Sequence, residues 1–497
     1  MEFPRQAGVL LHITSLPGPS GIGDLGPGAA RFADFLAESG VKLWQILPLN
    51  PIGAGNCPYS SPSAFAGNPL LISLESLAEE GLIRRADFVR RPAFPSRRVD
   101  FPKVISYKSR LLKTAFDRFS RDARRKNCRR FESFKKKNAP WLEDYALFVS
   151  LKKRFKGKPW FQWPAPLRLR EESVLERWRE ELAEDIGHVQ FRQYLFFRQW
   201  ARFRALVNGR GIRIIGDIPF FVNQDSADAW ANSSLFLMDA RGRRTALSGV
   251  PPPKGGKVGQ IWGNPLYDWQ EMKKDDFRWW RGRFGRVLSL VDIIRVDHFS
   301  GFHACWHIPT KNPSSRKGRW VKGPGAALFR RLQDGRGGAL PIIAEALEAE
   351  IQKPVDRLMK EFAIPGVREL QFGLEGGPSG YHHPESIPRN SAFYTGLHDN
   401  DTSIGWFRHL NPKKQKKVLA VLGVGKRDVN WGMIRAVFDS VADTAVVPLQ
   451  DVLDLGSSAR MNVPGQARGQ WGWRFEAGDL TGGLSRRLAE LVSGTGR

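Results

Sequence analysis

Short apolar runs rich in β-branched residues recur along the chain, and each closes on polar or acidic positions before a helix-like stretch begins. The clearest are Gly8-Val9-Leu10-Leu11-His12, Leu43-Trp44-Gln45-Ile46-Leu47, Ile212-Arg213-Ile214-Ile215-Gly216-Asp217, Ile293-Ile294-Arg295-Val296-Asp297, Pro341-Ile342-Ile343-Ala344-Glu345, and Ala392-Phe393-Tyr394 leading to His398-Asp399. Near-continuous apolar strands alternating with helices predict a parallel sheet covered on both faces. That many units favour closure, so the predicted fold is α/β: a (β/α)8 TIM barrel with helical and loop insertions around its C-terminal face, a single catalytic unit over 1–497. Between 85 and 186 the strand pattern gives way to Lys- and Arg-rich helical stretches, which predict a mainly helical insertion. The closing Leu484-Ser485-Arg486-Arg487-Leu488-Ala489-Glu490-Leu491 reads as an outer-ring helix.

In such a barrel the chemistry sits at the carboxyl ends of the strands, where Asp217, Asp297, Glu345 and Asp399 fall. Any one of them alone reads equally well as the N-cap of the next helix. Four at equivalent places point to a site. Cleaving a glycosidic bond with retention needs one carboxylate to attack the anomeric carbon and one carboxylic acid to protonate the leaving oxygen, about 5 to 5.5 Å apart. Asp297 and Glu345, on neighbouring strand ends, suit those two tasks. Arg295 lies two residues before Asp297, so strand alternation points both side chains the same way and places a guanidinium to keep the aspartate ionised. Glu345 follows an apolar run, a setting expected to raise its pKa toward that of a general acid. Asp399 with His398 is suited to grip sugar hydroxyls and to stabilise positive charge at the anomeric centre.

Composition narrows the class. With 41% apolar and 26% charged residues the chain reads as an ordinary folded globular protein. No apolar run approaches 18 residues and the start lacks an apolar signal core, so a cytoplasmic protein without a membrane partner is expected. Cys57, Cys128 and Cys305 are too few and too scattered for a disulfide framework or a Cys-x-x-Cys site. A net charge of +27 suggests an anionic partner. However, Arg124-Arg125-Lys126-Asn127-Cys128-Arg129-Arg130 has only Phe131 and Phe134 interleaved nearby and no base-reading motif, so a solvated helix face is preferred to a nucleic-acid site. His298, His303 and His307 have spacings compatible with a metal, but no acid completes the set. Cys57 beside Tyr59 has no assignable base, and a packed thiol is the simpler reading. Among the 17 tryptophans, most are expected to be packing residues, and Trp262 is singled out as a stacking surface for a pyranose ring.

Several further stretches carry a resemblance. Leu11-His12-Ile13-Thr14-Ser15-Leu16-Pro17-Gly18-Pro19, Trp262-Gly263-Asn264-Pro265-Leu266-Tyr267, Leu397-His398-Asp399-Asn400-Asp401-Thr402 and Ala459-Arg460-Met461-Asn462-Val463-Pro464-Gly465, with the segments 63–69, 318–322 and 448–453, make the chain similar to glycoside hydrolase family 77, the amylomaltase-type 4-α-glucanotransferases. The resemblance implies a retaining double displacement that moves a segment of an α-1,4-glucan to the 4-hydroxyl of an acceptor glucose or glucan. Asp297 would be the nucleophile, Glu345 the acid/base and Asp399 the transition-state stabiliser. Tyr59, Asp217, Arg295, His298, His398 and Asn462 would contact sugar around the scissile bond, and Trp262, with the loop region 235–270, would form the acceptor side. No cofactor and no catalytic metal are implied. The expected partners are malto-oligosaccharides, amylose or glycogen-derived glucans, acted on by a monomer.

The chain departs from the family pattern at a few places. Ala346-Leu347-Glu348 follows Glu345 where the family has Asp-Leu-Gly, and Pro253-Lys254-Gly255-Gly256 replaces an Asp and aromatic residues on the acceptor side. Asn56-Cys57, Leu397 and Gln470 also differ, Leu397 losing a hydroxyl beside His398. Two alternatives therefore stand beside the transferase: an α-glucan hydrolase, if the altered loop admits water, and a catalytically impaired glucan-binding regulatory protein.

Overall fold

Eight strands follow one another in chain order around a closed, all-parallel barrel: β1 (Gln6–Leu10), β2 (Leu43–Gln45), β3 (Arg213–Ile218), β4 (Ile293–Val296), β5 (Ile342–Ala344), β6 (Gly366–Glu369), β7 (Ser391–Tyr394) and β8 (Thr444–Pro448), with β8 pairing back onto β1. This is the (β/α)8 architecture, seen in a computed structural model that describes residues 4–121, 125–252, 259–335, 337, 339–376 and 380–497. The basic residue Arg124 and the acceptor-side residues Pro253, Lys254, Gly255 and Gly256 lie outside the described residues.

The period of two along each strand decides what faces the lumen. Leu10, Leu43, Ile215, Ile293, Ile343, Val367, Ala392, Tyr394 and Val446 pack together as the inner cluster. Val9, Trp44, Ile214, Ile294, Ile342, Phe393, Ala445 and Val447 belong to the larger outer core shared with the helices. The same parity carried one step further puts Asp217, Arg295, Asp297, Glu345 and Glu369 in the lumen-facing series, at the carboxyl ends. Closure also explains one glycine: a Cβ on Gly8 would stand 2.9 Å from Leu43 Cβ and 3.0 Å from Val446 Cγ2, so the strand between β2 and β8 has no room for a side chain there.

Helices Phe101–Arg121, Arg125–Arg154, Glu172–Glu181 and Ala183–Gly209 occupy most of the chain between β2 and β3. The first is tied to the barrel by Lys108, whose fully buried Nζ reaches Asp24 at 2.9 Å and donates to the carbonyls of Leu70 and Ile72 at 2.7 and 2.8 Å. A buried ammonium is tolerable only with such a full set of acceptors. Helix Gly482–Gly494 closes the chain against helix Pro27–Glu38, with Ser39 and Ser485 hydrogen-bonded at 3.2 Å.

Beside the barrel mouth stands a four-stranded antiparallel sheet, in the order Gln260–Ile261, Ala246–Val250, Ala304–Pro309, Arg319–Lys322. The span 235–270, expected as a loop region, therefore contains two strands. They pair with each other, and Ala246–Val250 also pairs with Ala304–Pro309, which follows β4 in the chain, a long-range pairing that local hydrophobic pattern does not reveal. His307 lies in that strand, and His303 just before it caps a short 3-10 turn, so the two share no helical face. Among the described residues no group of three or more His, Cys, Asp or Glu is placed to hold a metal ion, and no helix is long and apolar enough to cross a membrane.

Candidate active site

A cleft of about 650 Å³ opens at the carboxyl end of the barrel, lined by Tyr59, Trp262, Asp297, His298, Glu345, His398, Asp399 and Asn462 among others. Eight of the ten residues singled out from the sequence thus share one cavity. The other two, Asp217 and Arg295, do not line it: their side chains are 0% and 1% exposed and form the layer beneath.

That layer is a charge network organised by register. Asp217 on β3 is directly opposite Arg295 on β4. Arg295 Nη1 donates to Asp217 Oδ2 at 2.5 Å and, more weakly, to Asp297 Oδ1 at 3.3 Å, while Nη2 makes an ion pair with Glu345 Oε1 at 2.6 Å. One guanidinium thus serves three carboxylates. Burial works against its charge, yet Asp217 and Glu345 outweigh burial and hold its pKa well above the ordinary arginine value. Tyr59 donates its hydroxyl to Asp217 Oδ2 at 2.8 Å and stacks on the His398 ring with centroids 5.0 Å apart.

Two expectations about ionisation change. Arg295 does not by itself keep Asp297 ionised, because its shorter bond goes to Asp217. Burial, followed by the charge of Glu345 and a hydrogen bond with it, pushes the Asp297 carboxyl well above the usual carboxylate range. Nor is Glu345 in an apolar pocket. Ile342 and Ala344 of β5 point outward, and the Glu345 side chain faces the Arg295 guanidinium and accepts the His298 backbone N–H at 3.1 Å.

The turn after β4 is built for this. His298 adopts the left-handed region, φ 52° and ψ 47°, and is locked to the next strand end by Phe299 N–H donating to the Glu345 carbonyl at 2.7 Å. Its imidazole stacks on Phe221 at 5.6 Å, meets the edge of Trp262 at 4.9 Å, and pairs through Nδ1 with Glu348 Oε1 at 2.8 Å. Phe221 is held by its own loop. Arg283, buried and stacked on Trp280, donates to the carbonyls of Pro219 and Phe220 at 2.6 and 3.1 Å, and Tyr267 donates to Phe220 at 2.7 Å.

The opposite wall is looser. Asp399 is 48% exposed, accepts the Asn462 amide at 2.6 Å, and lies 3.4 Å from His398 Nε2. Arg460 links the same two loops, donating to the Asp399 and Asn462 carbonyls at 2.5 and 2.8 Å. Trp471, at a positive φ of 63°, closes the wall beside Tyr59 and His398. Cys57 also lines the cleft, and burial raises its thiol pKa, which disfavours the thiolate that nucleophilic chemistry would need.

Sequence reasoning missed Phe221, Trp471, Glu348 as a partner of His298, and Glu369. Glu369 was within reach of strand parity, being two residues past the inward Val367. Burial, then the charge of Glu345, pushes its pKa up to about 8, and its Oε2 has no hydrogen-bond partner among the described residues. Phe221 and Trp471 left no local signal, because both reach the cleft from loops.

Comparison with known proteins places the chain in a family. The family model for glycoside hydrolase family 77, described as 4-alpha-glucanotransferase, matches residues 11–481. The 4-alpha-glucanotransferase of Thermus thermophilus is 44% identical over 505 residues, covering 100% of both chains. The chloroplastic/amyloplastic 4-alpha-glucanotransferase of Arabidopsis thaliana is 41% identical over 504 residues, covering 100% of this chain and 86% of its own. Among solved structures, the amylomaltase from Streptococcus agalactiae in complex with acarbose superposes with a TM-score of 0.95 at 34% identity, covering 99% of each chain. With a family match over nearly its whole length and relatives this similar from end to end, the chain belongs to glycoside hydrolase family 77, the 4-alpha-glucanotransferase family.

Proposed function

We propose that this protein is a 4-α-glucanotransferase that cuts an α-1,4-glucan and passes the released segment to the 4-hydroxyl of an acceptor glucose or glucan, by a retaining double displacement. The observation that carries the reading is that Asp297 and Glu345 both line a sugar-sized cleft and are both held by the Arg295 guanidinium, at 3.3 and 2.6 Å, in a chain of this family.

In the first step Glu345 acts as the acid and gives a proton to the glycosidic oxygen, while Asp297, as the carboxylate, attacks C1. The C1–O bond breaks, the reducing-end fragment leaves as an alcohol, and the donor segment stays as an ester on Asp297. In the second step Glu345, now a carboxylate, takes the proton of the acceptor 4-hydroxyl as its oxygen attacks C1 and expels Asp297. One α-1,4 bond is broken and one made. Arg295 disperses the negative charge that alternates between the two carboxyls. Asp399 stabilises the positive charge that builds on the sugar ring, with Asn462 and His398 steering it. Tyr59, Trp262, His298, Phe221 and Trp471 supply aromatic and hydrogen-bonding walls that bind the glucose rings and keep water from the ester. The substrates are malto-oligosaccharides, amylose or glycogen-derived chains, handled by a cytoplasmic monomer without nucleic acid or membrane.

Incubation with maltotriose and chromatography of the products over time tests this. Glucose together with maltotetraose and longer chains is the expected result. Glucose and maltose without longer chains would make the protein a hydrolase, and unchanged maltotriose would leave only a binding role.

A further inference from the structure

His298 and Glu348 form an ion pair that the transfer chemistry above does not use. We propose that Glu348 is a positioning residue for that chemistry: it holds His298 as an imidazolium whose Nε2–H is presented to a glucosyl hydroxyl in the cleft, and the paired imidazolium in turn screens the acid pair from the negative charge of Glu348. The inference rests on the glucan-transfer reading and names what sets the charge of one wall of its site.

The geometry fixes the ring at every side but one. Nδ1 meets Glu348 Oε1 at 2.8 Å, with Ser300 Oγ at 3.5 Å. One face lies on Phe221, with the rings inclined by 27°, and Phe220 and Trp262 meet the ring edge-to-face. The residue is 8% exposed, it lines the cleft, and Nε2 has no partner among the described residues. A buried N–H left unmade costs about 1–3 kcal/mol, a penalty that a substrate hydroxyl accepting from Nε2 removes on binding. A charge-assisted bond of this kind is roughly twice as strong as a neutral one.

The charge state follows from every group that faces the ring. Glu348 contacts it directly, Asp297 and Glu345 are the other charges acting on it, Glu345 also accepting the His298 backbone N–H, and Arg295 is engaged with Asp217, Asp297 and Glu345. Burial alone would favour neutral imidazole, but Glu348, then Asp297 and Glu345, raise the His298 pKa above its ordinary value. Burial likewise opposes ionisation of Glu348, and His298 overcomes it, lowering that carboxyl to about 2. The pair is therefore ionised as a unit and close to neutral in sum. Without the cation, Glu348 would add an uncompensated negative charge beside two carboxyls that already repel each other.

The test reads His298 directly in the full-length protein labelled with 13C-histidine, its resonance assigned by its loss in His298→Asn. In the unaltered protein the imidazolium should persist above the pH at which a free imidazole loses its proton, whereas in Glu348→Gln, which keeps the shape and removes the charge, it should titrate at or below about 6.5. In parallel, the alkaline limb of kcat/KM for maltotriose should move down by about one pH unit or more in Glu348→Gln, with KM rising about tenfold near pH 8 and kcat changing less. An imidazole that titrates near 6.5 in the unaltered protein, or identical titrations in both proteins, would overturn the inference. Should the protein fail to transfer glucan, the same histidine titration and calorimetric maltotriose binding at about pH 6 and pH 8 still decide it.

Discussion

The two walls of the cleft hold their acidic residues in opposite ways. At the ends of β3, β4 and β5, Asp217, Asp297 and Glu345 crowd around one buried guanidinium, each fixed by strand register and by bonds of 2.5–3.3 Å. Beyond β7, Asp399 stands half in solvent, held by the Asn462 amide and by loops that Arg460 ties together. The first wall sets protonation states before substrate arrives, since burial and like charge determine where the proton sits. The second is free to close on a sugar and to lend a charge that water screens until the cleft is filled. The chemistry proposed for the two walls follows the same division, with covalent and proton-transfer steps on the rigid side and charge stabilisation on the adaptable one.

Substitutions that remove charge while keeping shape separate the walls. Asp297→Asn should lower transfer on the order of 10⁴-fold or more, because the ester cannot form. The same change relieves repulsion with Glu345, so the melting temperature measured by calorimetry at neutral pH should hold or rise. Asp399→Asn should cost about 10²–10³-fold in kcat. Its melting temperature should not move, since the lost charge is half-exposed and the Asn462 amide keeps an acceptor. A rate loss at Asp399 as large as at Asp297, or a fall in stability there, would erase the contrast.

The smallest effect probes the depth of the rigid side. Glu369 sits in the lumen with its pKa pushed up to about 8 from 4.5, by burial first and by Glu345 second. The folded chain therefore keeps this proton at pH values where the unfolded chain has released it. The stability tied to the group is complete below pH 4.5, wanes as pH rises, and is gone above about 8. Glu369→Gln should raise the melting temperature at about pH 9 by roughly 1–3 °C and leave it unchanged at about pH 4.5. Equal effects at both pH values would mean the carboxyl is not buried neutral.

The two walls also differ in how far they could be read from sequence. The period-two pattern of Ile293-Ile294-Arg295-Val296-Asp297 and the apolar run before Glu345 locate the strand ends and place the charged residues on the lumen side, so the barrel and the rigid wall were legible. Their ionisation was not. Whether Arg295 favours Asp217 or Asp297 depends on cross-strand register, which a single strand does not encode. The aromatic wall escaped for a related reason: Phe221 is aimed by Arg283 and Tyr267, and Trp471 arrives from the far end of the chain. Trp262 directly follows a strand of a sheet completed by Ala304–Pro309, which comes after β4, a contact that local periodicity does not record.

The most direct test of the central claim, that Asp297 carries the glycosyl group and Glu345 moves the proton, is intact-protein and peptide mass spectrometry of Glu345→Gln after incubation with α-maltosyl fluoride. Fluoride departs without a proton, so the ester can form, but no base remains to activate an acceptor and discharge it. The account predicts a maltosyl adduct that accumulates and maps to the peptide bearing Asp297. An adduct on another residue, or none while the fluoride is consumed, would contradict it.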